Sequence, residues 1–109
     1  MKWYRHLFVG ENAKKTKFKI MNKVNARKLQ RDIYFITMPS NPNNMFDIIN
    51  ANIFLQPYFK KKENHKDIEI VGVAKGMDEA MEVVRVIVDK VYQETGDVKV
   101  KESLADAWR

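Results

Sequence analysis

The sequence predicts a small α/β layered domain, in which helices pack on a sheet of three or four strands that is at least partly parallel. Three observations carry that reading. "DIYFITMP" is short and apolar on both alternating faces, as a strand covered from two sides is, and the later half of "IEIVGVA" repeats the pattern. Between Gly76 and Gly96, Met77, Ala80, Met81, Val84, Ile87, Val88 and Val91 follow i, i+3, i+4, i+7 spacing, that of an amphipathic helix. Strands alternating with helices of these lengths stack as layers joined by crossovers. A chain of 109 residues can bury one core, so residues 1–109 are expected to form a single domain.

Taken in order, the first ten residues, "MKWYRHLFVG", fit a short strand or the opening turns of a helix. Arg5 and His6 interrupt their apolar character and no small-residue cleavage pattern follows, so they do not read as a signal peptide. Residues 11–30 read as a helix whose apolar side holds Ala13, Ile20, Met21 and Val24, with Phe18 and Leu29 at its margins. In the first interior strand Ile33, Phe35 and Thr37 point one way, and Tyr34, Ile36 and Met38 the other. "SNPNN" is a turn, and Asn43 or Asn44 suits the N-cap of a helix opening at Met45 and broken at Pro57. A charged loop, "KKKENHK", leads to the second interior strand and then to the helix that Gly96 is placed to end. "DVKVK" alternates like an edge strand, and "ESLADAW" like a short closing helix.

Composition excludes several chemistries. Cysteine is absent, which removes disulfides, thiolate metal sites and cysteine nucleophiles. No apolar run approaches the roughly 20 residues that span a bilayer, and the apolar side of helix 11–30 is needed by the core, so a cytoplasmic location without membrane contact is expected. Ser40 and Ser103 are the only serines and neither sits in GxSxG; no HExxH or paired-carboxylate motif occurs. A non-enzymatic protein without cofactor is expected, with no catalytic residue to name. The strand–Gly76–helix junction resembles a phosphate cradle in layout but supplies one glycine, and Asp78 and Glu79 would repel an anion there. It reads as scaffold.

Charge is more informative. Residues 1–66 hold 14 Lys and Arg against four acids, whereas residues 67–109 hold six against ten. Lys15, Lys19, Lys23 and Arg27 recur every fourth residue, a predicted basic ridge within a stretch, 14–31, of eight cations and no acid. Lys60, Lys61 and Lys62 follow Phe54, Tyr58 and Phe59, setting aromatic rings beside charge. A solvated face beside core aromatics accounts for these charges; otherwise they imply an anionic partner, either an acidic protein surface, including the acidic C-terminal half of the same chain or of a second copy, or RNA or DNA. If the two interior strands are adjacent and parallel, Ser40, Asn41, Asn43, Asn44 and Lys75 line a small polar ligand site at their carboxyl ends. If extended, "ENHKDIE" would fan Glu63, His65, Asp67 and Glu69 to one side, where a divalent metal binds such sets; a surface histidine is the simpler reading.

The phrases "IYFITMPSNPNNMFDI", "LQPYF", "IVGVAKGMDEAMEVV" and "VYQETGD" together resemble a family of small bacterial α/β proteins of no assigned function. The resemblance covers most of the chain from the first predicted strand onward. It implies a free-standing cytoplasmic bacterial domain, and no functional residue transfers from it. The expected role is that of a self-associating interaction module, a homo-oligomer whose basic helix meets an acidic surface. Nucleic-acid binding and small-ligand binding are the alternatives.

Overall fold

The computed structural model describes residues 1–39, 41 and 43–95. Four strands form one mixed sheet: β1 (Lys2–Val9), β2 (Ile33–Thr37), β3 (Asp47–Asn50) and β4 (Glu69–Lys75), in the order β1-β4-β2-β3. β1 runs parallel to β4, while β2 is antiparallel to both β4 and β3. Two helices cover it, α1 (Lys17–Asn25) and α2 (Met77–Thr95). The predicted α/β layering on a partly parallel sheet stands: the first residues take their strand option as β1, and β3 forms where a helix was expected.

The first residues are a strand because their side chains alternate between two cores. Trp3, Leu7 and Val9 pack on one face; Tyr4 and Phe8 pack on the other. Trp3 meets Phe35 of β2 edge to face at 5.7 Å, and Tyr4 stacks on Phe8 at 5.8 Å. Apolar residues on both faces hide the period of two from a reading that looks for polar alternation.

The helix expected over residues 11–30 is shorter. A 3-10 turn, Lys14–Thr16, precedes α1, which ends at Asn25. No acid stands in the first turn of α1 to complement the helix dipole, and the N-cap, Thr16, makes no side-chain cap bond. Ile20 and Val24 alone of α1 are buried.

The helix expected from Met45 is replaced by a strand. β3 pairs with β2 in the register Phe35↔Ile49 and Ile36↔Ile48. Ile48 packs with the α2 face and Ile49 with the other, so these adjacent isoleucines serve opposite sides, which a helix does not allow. Asn43 and Asn44 therefore cap no helix: Asn43 N–H bonds Asn41 Oδ1 at 3.0 Å and Asn44 N–H bonds Asn41 O at 3.0 Å, within the β2–β3 connection. Asn50 ends β3 by accepting the Asn52 N–H at 2.9 Å, and the 3-10 turn Ala51–Leu55 follows. Pro57 opens a further 3-10 turn, Pro57–Lys60, where its missing N–H costs nothing.

In β4 the alternation slips. Ile70 and Val73 face the α1 core, Val71 and Ala74 the α2 core, and pairing with β2 shifts register between Ile36 and Thr37. The slip is bulge-like, placing Val71 and Gly72 on one side. A Cβ on Gly72 would lie 3.0 Å from Val83 Cγ1, so the glycine lets α2 settle on the sheet.

α2 packs Ala80, Val83, Ile87 and Val91 against Ile36, Val71 and Ala74 on one face. The other face buries Ile20, Val24, Ala51 and Phe54 against Ile33, Phe35, Ile70 and Val73. Burial, helped by Glu94 near the far end of α2, pushes the Tyr4 hydroxyl above its usual pKa, as expected of a helix returning along β1. The predicted strand "DVKVK", the helix "ESLADAW" and the stop at Gly96 lie outside the described residues.

Candidate functional site

The cations of residues 14–31 do not form one ridge. Lys19 and Lys23 keep helical spacing on α1, while Lys15 belongs to the preceding 3-10 turn. Arg27 is withdrawn from the ridge. It occupies the position just past the α1 C-cap, at φ 57, where its N–H bonds Val24 O at 3.2 Å and the Lys28 N–H bonds Lys23 O at 2.9 Å. This is a Schellman termination with arginine where glycine is usual. A left-handed non-glycine residue costs about 1 kcal/mol.

What holds Arg27 there is its guanidinium. Nη1 donates to Phe54 O at 2.8 Å and to Phe59 O at 3.3 Å, and Nη2 donates to Leu55 O at 3.0 Å. These carbonyls belong to consecutive 3-10 turns. The planar fork ties that irregular layer to the end of α1, which gives Arg27 a structural role.

The same tie brings the second basic cluster to the α1 side. Lys60 shares a hollow of about 110 Å3 with Val24, Asn25, Arg27 and Phe59. Lys60, Lys61 and Lys62 are exposed, and Tyr58 beside them is 63% exposed, held against Phe59 edge to face at 4.9 Å. Phe18 on α1 is 73% exposed under the Lys17 ammonium, 5.3 Å from its ring centre. Among the described residues Lys14 pairs with Glu11 at 3.1 Å, and no ion pair engages Lys15, Lys19, Lys23, Arg31, Lys60, Lys61, Lys62 or Lys75.

Lys75 lies far from the asparagines it was expected to join. Because β2 and β4 are antiparallel, Lys75 stands opposite Ile33 at the start of β2, while residues 38–46 leave its end. Asn41, Asn43 and Asn44 are exposed turn residues at that other end, and Ser40 lies outside the described residues. The polar site joining them to Lys75 is not assembled. Lys75 instead joins Lys19, Lys23 and Arg31 around a groove of about 220 Å3, whose remaining walls are Thr16, Ile20, Gln30 and Ile33. Gly76 fixes this meeting: its N–H bonds Asp32 O at 2.7 Å, which sets Arg31 beside the end of β4. That bond also spends the amide an anion cradle would need. Arg31 drew attention only as one cation of a basic stretch, since its convergence with Lys75 depends on strand pairing that periodicity does not reveal.

Glu79 does not enter this groove. Its carboxylate accepts N–H bonds from Asn12 and Lys75, each at 2.6 Å, and faces Gly10 and Glu82 in a separate hollow against β1. α1 and α2 cover opposite faces, and where the segment before α1 passes α2, Lys14 borders the same hollow as Glu79 and Glu82. On α2, Arg85 joins Glu82 through Nε at 3.1 Å and Asp89 through Nη1 at 2.6 Å, so part of that acidity is consumed locally.

The "ENHKDIE" segment is not extended: Lys62–Asn64 is a 3-10 turn, so Glu63, His65, Asp67 and Glu69 do not form one row. Among the described residues no three His, Asp or Glu side chains converge as a metal site would require. No helix among them is long and apolar enough to cross a membrane. The chain matches no family model, no curated protein and no solved structure.

Proposed function

We propose that the protein is a non-enzymatic module that binds single-stranded nucleic acid on the α1 side of its sheet. One observation carries the reading: Lys19, Lys23, Arg31 and Lys75, from separate parts of the chain, share one groove, Lys60 borders a second hollow beside α1, and none of these, nor Lys15, Lys61 or Lys62, has an acid partner among the described residues. Phe18 and Tyr58 add exposed rings on which bases can stack, which favours single strands over duplex. An acidic protein surface is the competing partner. A second copy offers α2 for that role, with Glu82 and Asp89 already committed to Arg85.

Fluorescence anisotropy of labelled single- and double-stranded RNA and DNA, titrated at several salt concentrations, tests this. Micromolar binding is expected, tighter for single strands. Contacts from Lys15, Lys19 and Lys23 alone give a slope of log K against log salt of about −2 on a single strand. Changing those three to glutamate should abolish binding. No binding at low salt, together with a dimer that salt dissociates in sedimentation, would replace nucleic acid by an acidic partner or a second copy.

A further inference from the structure

The groove bounded by Lys19, Lys23, Arg31 and Lys75 concentrates more charge than a nucleic-acid backbone can match at one place. Four cationic side chains open on about 220 Å3, and no acid lines it. A backbone phosphodiester brings a single negative charge, and the next lies a nucleotide away. A di- or triphosphate group brings three or four within one compact unit. We propose that this groove seats a di- or triphosphate group, an assignment that rests on reading the α1 side as a surface for phosphate-bearing ligands.

The surroundings suit such a group. Thr16 offers a hydroxyl that makes no helix-cap bond, so it can donate to a phosphate oxygen. Gln30 is spent on the fold: its Nε2 donates to Ile20 O at 3.2 Å, which leaves the lysines and Arg31 to do the recognition. Arg31 supplies a planar fork for two oxygens of one phosphate, and the lysines supply point charges that tolerate variation in the rest of the chain. The pairing of Ile33 with Lys75 and the Gly76–Asp32 bond fix Lys75 beside the Arg31–Ile33 wall of the groove. Ile20 and Ile33 give it an apolar floor with no carboxylate.

Two sources present this chemistry: a free nucleotide, and the 5′ end of a strand carrying a triphosphate. Calorimetric titration with inorganic tripolyphosphate, and with orthophosphate at equal ionic strength, isolates the shared group. Tripolyphosphate should bind at least tenfold tighter, and Lys75→Gln or Arg31→Gln should each weaken it about fivefold or more, whereas Lys90→Gln on α2 should not. Both groove residues are exposed, and circular dichroism of each variant verifies that it is folded. Equal affinity for the two anions, or affinity indifferent to Lys75 and Arg31, would overturn the proposal.

A nucleoside triphosphate and a 12-nucleotide strand with either a 5′-triphosphate or a 5′-hydroxyl then separate the sources. Preference for the triphosphorylated strand assigns the groove to strand ends, and equal gain with the mononucleotide assigns it to free nucleotides. If the 5′-hydroxyl strand binds while tripolyphosphate does not, the groove assignment fails and the strand-binding face stands. The reverse result removes strand binding and keeps the groove.

Discussion

On one face of the sheet a single 19-residue helix, α2, supplies the cover; on the other, nine residues of α1 share the work with short 3-10 turns. α2 closes its own accounts. Its N–H and C=O groups bond along the helix, and Arg85 binds acids one turn away on either side. The α1 layer cannot do this, because consecutive 3-10 turns leave carbonyls at Phe54, Leu55 and Phe59 pointing at neighbours. Arg27 meets all three. The contrast separates two kinds of cation on the basic side: one that completes the fold, and several with no acid partner among the described residues.

The largest expected effect tests that separation. Hydrogen bonds to a charged group contribute about 1.5–3 kcal/mol, so Arg27→Gln should destabilise by about 2–3 kcal/mol in urea unfolding. Lys19→Gln, at an exposed position, should stay within about 0.5 kcal/mol. Arg27→Gly should be less damaging than Arg27→Ala by about 1 kcal/mol, since glycine relieves the left-handed strain that alanine keeps. If Arg27→Gln proves as mild as Lys19→Gln, Arg27 belongs with the ligand-facing cations after all.

The same contrast governs what the sequence disclosed. α2, β2 and β4 were legible from i+3 and i+4 spacing in α2 and apolar residues on both alternations in β2 and the later half of β4, although Met77 and Met81, counted on the apolar side of α2, are exposed and Val83 is buried in their place. Ile48 and Ile49 misled because a short strand buried on two faces and a turn of buried helix look alike over four residues, and only the pairing with Phe35 and Ile36 decides. Lys15, Lys19, Lys23 and Arg27 have the spacing of one helix, yet the Schellman turn after Ala26 removes the last of them. The meeting of Lys75 with Arg31 had no local signal at all. It follows from antiparallel pairing of two strands some forty residues apart in the chain.

A smaller effect tests how α2 is pinned to the rest. Glu79 bridges the N–H groups of Asn12 and Lys75, and it passes directly over Gly10. A Cβ on Gly10 would overlap the Glu79 Cγ, Cδ and Oε1 atoms. Gly10→Ala should therefore displace the carboxylate and cost about 1–3 kcal/mol, as overpacking does. Glu79→Ala removes the same two bonds, so the double variant should cost clearly less than the sum of the singles. Additive costs in the unfolding cycle would mean that Gly10 matters for its backbone and not for the room it leaves.

The smallest expected effect lies where α2 is most self-contained. The side-chain hydrogen bond from Arg85 holds the Glu82 carboxyl below its usual range, and the nearby positive charge adds to this. A carboxylate whose folded pKa is depressed contributes stability that is present above its unfolded pKa and lost as pH falls through the folded one. Carboxyl 13C shifts followed from neutral to acid pH should show Glu82 titrating below the ordinary glutamate range. In Arg85→Gln its midpoint should rise back toward that range. Both side chains are more than half exposed, so 1 M salt should shrink the difference between the two proteins. An unchanged midpoint in Arg85→Gln would mean that the α2 surface leaves its acids open in solution. A second copy's α2 would then become the stronger candidate for the basic side, and the two faces would be complementary halves of one interface.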